Sequence, residues 1–320
     1  MSQIYPWLDE VWRKWQHGLQ SDQFSNVSLL NAPSGMGGDK LVTHLSKALM
    51  CSKDKAHPCG MCHSCDLMAS NTHPDVHLFK PEKEGKAITV DQIRLCNKFA
   101  QESSQLSHHR LIIIESAHSL NESAANALLK TLESSPPHCF FVLLTESINL
   151  LLPTIVSRCQ QWSVRIPTAL DVTKWVKQQS GSECPLFVAH ICNYEPVKAL
   201  QFIEQGLQPE YQAIEDKFLQ YAQGQDNWLE LAALIVKNPI QNLTWLWYLI
   251  SDAQKIHFDI CDPQLTPAST QLRQLVEYDK LYQMGTALGK LKKQLEQHSG
   301  LNVELLIAGW LIQHKEETCL

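Results

Sequence analysis

Residues 27–39 read Val27-Ser28-Leu29-Leu30-Asn31-Ala32-Pro33-Ser34-Gly35-Met36-Gly37-Gly38-Asp39. A short apolar run enters a glycine-rich turn, and behind the turn Leu41, Val42, Leu45, Ala48 and Leu49 recur at helical spacing. Strand, glycine turn and helix together make the usual cradle for phosphate, because backbone N–H groups point out of the helix N-terminus. A working loop reads G-x-x-x-x-G-K-[ST]; its lysine reaches the outer phosphates and its hydroxyl holds Mg²⁺. Here Gly35 and Gly37 keep the shape, but Ala32 stands at the first glycine, Gly38 at the lysine and Asp39 at the hydroxyl. A carboxylate at the start of that helix repels a polyphosphate. Lys40 comes one residue late, and a register slip that used it would put Leu41 at the hydroxyl position.

The alternation continues outward from this stretch. Val76–Phe79 reads as a strand, and Thr89-Val90-Asp91-Gln92 as a capping box that opens a helix. Leu111–Ile114 is a β-branched run suited to a strand covered on both faces. Ser119-Leu120-Asn121-Glu122 reads as a second capping box. Its helix would bury Ala125, Leu128, Leu129 and Leu132 and stop at Pro136-Pro137, before a last buried strand at Cys139–Thr145. The pattern predicts an α/β fold with a mostly parallel sheet. The strand at 111–114 leads into Glu115-Ser116, where nucleotide hydrolysis needs Asp-Glu; Glu115 can still ligate a metal, but Ser116 cannot act as a general base. With both elements degraded, no ATP is expected in this chain.

The 320 residues carry a formal charge of −6, so no global positive field points to nucleic acid. No apolar run is long enough to cross a bilayer, and the opening residues do not resemble an export signal. Eleven cysteines, an odd number, argue against a disulfide framework and for a reducing cytoplasm. After about Pro167 strand patterns vanish. A small helical domain is expected over 167–207 and an all-α domain over 208–320, where Leu281, Met284, Leu288, Leu291 and Leu295 form one stripe. Trp245, Trp247 and Tyr248 fit either an interface or core, as do Trp7, Trp12 and Trp15.

Four cysteines fall together as Cys51-x7-Cys59-x2-Cys62-x2-Cys65. Zn²⁺ takes four thiolate or imidazole ligands in a tetrahedron, and a tight loop with Pro58 and Gly60 can supply them. Four-cysteine coordination is expected, with His57 and His63 as rival ligands and free or redox-active thiols as the plain alternative. Lys53, Lys55 and His57 are near enough in sequence to offset thiolate charge. A closed set of four ligands makes the zinc structural.

Three stretches carry a family resemblance: Asn126-Ala127-Leu128-Leu129-Lys130-Thr131-Leu132-Glu133-Ser134-Ser135-Pro136-Pro137, Phe140–Thr145 and Ile155-Val156-Ser157-Arg158-Cys159. The chain resembles the AAA+ clamp-loader family, to which the Ser-Arg-Cys tripeptide and the cysteine insertion after the loop helix also belong. The resemblance implies an AAA+ domain over 1–166 with its zinc module at about 51–65, a helical lid and a C-terminal collar. It implies a subunit that hydrolyses no ATP itself and lends Arg158 in trans to ATP on a neighbour. It further implies tau/gamma motor subunits and a delta subunit as partners, with the sliding clamp and primed DNA engaged by the assembly. Taken alone, Arg158 reads as a surface salt bridge. Where active members carry a nucleotide-sensing arginine in the second domain, Glu195 and Lys198 stand here. A self-contained P-loop ATPase or nucleotide kinase is the alternative, and it needs the lysine and hydroxyl that are missing. A zinc-ribbon nucleic-acid binder needs a basic, aromatic surface beside the cysteines, which Asp66-Leu67-Met68-Ala69-Ser70 does not supply.

Overall fold

Alternate residues of the buried strands serve two separate cores, and this fixes the sheet. The computed structural model describes residues 4–54, 56–83, 85–106, 109–260, 265–298 and 300–316; Lys55 lies outside them. Strands β1 (Val27–Asn31), β2 (Val76–Phe79), β3 (Arg110–Ile114), β4 (Cys139–Thr145) and β5 (Gln160–Ser163) pair in the order β2-β3-β4-β1-β5, all parallel. Helices α1 (Asp9–Gln20), α2 (Gly38–Met50) and α3 (His63–Ala69) supply one core with Leu30, Leu111, Ile113, Phe140 and Val142. Helices α4 (Val90–Gln101), α5 (Glu122–Glu133) and α6 (Pro153–Val156) supply the other with Leu29, Ile112, Ile114, Phe141 and Leu143. Period-two alternation across β1, β3 and β4 therefore sorts their apolar residues between two helical layers.

Of the two expected capping boxes, one forms. The capping box at Thr89 is present, with Gln92 reciprocating, but the one read at Ser119 is not. Ser119 ends a 3-10 turn, its carbonyl accepts from Ile88 N–H at 2.8 Å, and Leu120 is bridged to Ile88, so its backbone is committed elsewhere. Asn121 caps α5 instead, its side chain accepting from Ala124 N–H at 2.8 Å. Strand β5 has a weak sequence signal, because Gln160, Gln161 and Ser163 are exposed on an edge strand held by backbone pairing to β1 and by one apolar side chain, Trp162, edge-on to Trp15.

The chain divides into two compact units, Met1–Ile166 and Pro167–Leu320. In the second run helices α7 (Ala169–Ser180), α8 (Leu186–Ile191), α9 (Pro196–Glu204), α10 (Gln208–Ala222), α11 (Trp228–Lys237), α12 (Pro239–Ile256), α13 (Pro267–Leu275), α14 (Tyr278–Gln297) and α15 (Val303–Glu316). One continuous core spans Val172 of α7 to Leu311 of α15, and the stripe on α14 faces it. Trp245 is core, packed edge-on to Phe202 and Tyr211 at 5.7 and 5.5 Å, whereas Trp247 is exposed, so that aromatic cluster is split. Trp12 and Trp15 are likewise core. Among the described residues no helix is long and apolar enough to cross a membrane.

Candidate functional site

The glycine turn between β1 and α2 has the shape of a phosphate loop. Gly35 and Gly37 take φ of 75° and 73°, a left-handed conformation that glycine adopts without strain. The position of the missing lysine is closed. A Cβ on Gly38 would lie 2.7 Å from the Ala32 methyl and 3.0 Å from Leu144 Cδ1. The two departures from the working motif are therefore linked in space: the methyl at 32 takes the room that any side chain at 38 would need. Over the loop sits an N-terminal aromatic clamp that no sequence pattern announced. Tyr5 and Trp7 stack at 4.7 Å, Trp7 Nε1 donates to the Met36 carbonyl at 2.7 Å, and the Tyr5 ring leaves no room for a Cβ on Gly37. Lys40 donates to Tyr5 Oη and lies 4.4 Å from that ring's centroid; it is not among the residues lining the cavity below.

That cavity, of about 230 Å³, is lined by the loop, Glu115, Ser116, Leu144, Thr145 and Glu146. Asp39, Glu115 and Glu146 contribute three carboxylates, and the described lining residues include no lysine or arginine. Burial pushes the Glu115 carboxyl above its ordinary value; Lys80 opposes the shift and Asp39 adds to it. The electrostatics are thus the reverse of a triphosphate site. In the second unit Glu195 is nearly buried and pairs with Lys198 at 2.7 Å, which offsets the cation at that position.

The four cysteines converge. Cys51 follows α2, Cys62 caps α3 and Cys65 lies in its first turn, while Cys59 comes from the loop between. Their sulfurs all lie within 4.8 Å of one another, and Cys59 and Cys65 are 4.0 Å apart. Zinc–sulfur arms of about 2.3 Å give sulfur–sulfur separations of roughly 3.8 Å, so a small contraction closes the tetrahedron. The described cysteines are all free thiols. Burial works against ionising Cys62, but hydrogen bonds from Ser52 and the backbone outweigh it and bring the thiol down. Burial and the neighbouring sulfurs push Cys65 up. A dication relieves that mutual repulsion, and the donor set fits a structural zinc site. Among the described residues no imidazole joins the cluster; His57 Nδ1 lies 3.6 Å from Asp54 instead.

Arg158 follows α6 at the edge of the opposite face. Its neighbours Ile155 and Cys159 are anchored in the core, while its own side chain is one-third exposed. Nε donates to Glu133 Oε1 at 2.7 Å, Nη2 donates to the same oxygen, and Nη1 donates to the Thr154 carbonyl at 2.8 Å. The surface ion pair read from sequence is therefore present, and its partner is the last residue of α5. The sequence did carry a signal for Glu133: a carboxylate at a helix C-terminus opposes the macrodipole and calls for a cation.

The family profile described as "DNA polymerase III, delta subunit" matches residues 7–168, and "DNA polymerase III, delta subunit, C terminal" matches residues 206–316. DNA polymerase III subunit delta' of Haemophilus influenzae is 31% identical over 96% of this chain and 95% of its own length. The subunit of the same name from Escherichia coli is 30% identical over 97% of this chain and 94% of its own. A solved gamma subunit-related protein from Thermotoga maritima aligns over 97% of this chain and 98% of its own, at 17% identity and a TM-score of 0.43.

Proposed function

Because the chain belongs to the delta-prime family of DNA polymerase III clamp-loader subunits, we propose that it is the fixed member of the loader, binding no ATP of its own and supplying Arg158 to ATP held by a neighbouring subunit. The observation that carries this reading is a contrast of charge. The chain's own loop opens onto three carboxylates with no room for a lysine, whereas a guanidinium stands partly exposed at the surface. In trans, that guanidinium neutralises charge developing on the transferred phosphoryl group. The Ser116 hydroxyl offers no general base and the cavity no cation, so a self-contained ATPase or nucleotide kinase is disfavoured.

The receiving neighbour belongs to the tau/gamma motor subunits. With the delta subunit they complete a complex that opens the sliding clamp and places it on primed DNA, in the cytoplasm. Residues 167–207 act as the helical lid and 208–320 as the collar that holds the oligomer. A zinc ion on Cys51, Cys59, Cys62 and Cys65 pins the insertion between α2 and α3 and takes no part in chemistry.

The test is Arg158→Ala in a reconstituted loader whose motor subunits have had their own equivalent arginines replaced, so that the site served by Arg158 is read alone. ATP turnover at that site should fall by about 10³-fold or more, the scale of a lost arginine finger, with assembly intact. Unchanged turnover would reject the assignment.

A further inference from the structure

Glu133 is not a substrate-facing group, yet its place in the fold is unusual. It is the last residue of α5, where the partial negative charge of the helix end disfavours a carboxylate. It is half exposed, and through one oxygen it takes two of the guanidinium's donors. The Thr154 carbonyl takes a third. A guanidinium has five N–H groups, so two remain for an acceptor outside the chain.

We propose that Glu133 is the positioning residue for Arg158: it holds the guanidinium against the end of α5, with two donors left for a neighbour's phosphate. The inference rests on the reading of Arg158 as a finger in trans. A free arginine loses much side-chain rotamer freedom when it is fixed. A side chain already fixed on a helix end avoids that loss when it meets the transition state. The pair itself adds little to folding, since both partners are partly solvated. Removal of Glu133 should therefore leave the subunit folded and assembled while the finger becomes loose.

The experiment uses the same reconstituted loader with Glu133→Ala, Glu133→Gln, Arg158→Ala and the double variant Glu133→Ala/Arg158→Ala. Glu133→Ala should lower kcat about tenfold at an unchanged KM for ATP, as expected for misplaced catalytic geometry. Glu133→Gln keeps the acceptor oxygen and should stay within about twofold of the native rate. The double variant should be no slower than Arg158→Ala, because Glu133 acts only through the arginine. If Arg158→Ala slows turnover while Glu133→Ala does not, or if the two losses multiply, the positioning role is overturned and the finger stands. If Arg158→Ala has no effect, the finger reading falls and the role of Glu133 falls with it.

Discussion

On one face of the sheet, the loop from β1 into α2 keeps the backbone of a phosphate site and has lost what makes such a site attractive to phosphate. On the other face, the end of α5 and the residues after α6 keep a guanidinium at the surface, tied at one edge and open at another. The loop is closed by small things: a methyl at Ala32 against Gly38, and a tyrosine ring against Gly37. The arginine edge is kept available by equally small things: one carboxylate and one carbonyl. On the function proposed above, loss of chemistry in one place and retention in another, on a common scaffold, lets a subunit stop working for itself and still serve an assembly. The backbone persists on both faces because each core needs it.

The largest effect should come from metal extraction at the cysteine cluster, where structural zinc sites in small peptides carry apparent binding free energies of about 10–16 kcal/mol. Chelation, or Cys62→Ser, should open residues 51–65 to proteolysis. ATP turnover supported by Arg158 should survive, since α5 and α6 pack on the opposite core. Parallel loss of cleavage resistance and turnover would join the two faces that the account separates.

Next in size is Gly38→Lys. Overpacking against Ala32 should cost about 1–3 kcal/mol in a denaturant titration, without conferring affinity for a fluorescent ATP analogue. Adding Ala32→Gly should return most of the stability and still confer no affinity, because Asp39, Glu115 and Glu146 remain. Tight nucleotide binding by either variant would show that charge is not what closes this site.

The smallest effect concerns Glu115. Its folded-state pKa is raised above the ordinary 4.5 by burial and by Asp39. The folded state thus holds the proton more tightly than the unfolded one, and the stability this confers is complete below about pH 4.5 and disappears as pH rises through the raised value. Glu115→Gln should accordingly match the native chain near pH 4 and exceed it in stability at pH 8. Thermal melts at the two pH values measure the difference; equal melts at pH 8 would mean that the carboxylate is well solvated.

Much of this was legible in the sequence where one physical signal dominated. The runs Leu111–Ile114 and Cys139–Thr145 could be little else than buried strands, and the spacing of Cys51, Cys59, Cys62 and Cys65 anticipated their convergence. Strand β5 was not legible because three of its four residues are polar, and one tryptophan, Trp162, makes no run or period that marks a strand. The α5 cap was placed two residues early because Ser119 and Asn121 are both good caps, and the pairing of Ile88 with Leu120 decides between them. The loss of lysine and hydroxyl from the loop could be read directly. The steric coupling of Ala32 to Gly38, the Tyr5–Trp7 clamp and the third carboxylate at Glu146 depend on contacts between segments far apart in the chain.

Arg158→Lys, in the loader where only the site it serves can hydrolyse ATP, separates charge from geometry at the finger. Lysine keeps the positive charge but loses the planar fork that lets one side chain hold Glu133 and a phosphate together. With lysine, kcat should fall nearly as far as with alanine, while assembly and the KM for ATP stay at native values. Native turnover from the lysine variant would contradict the finger assignment.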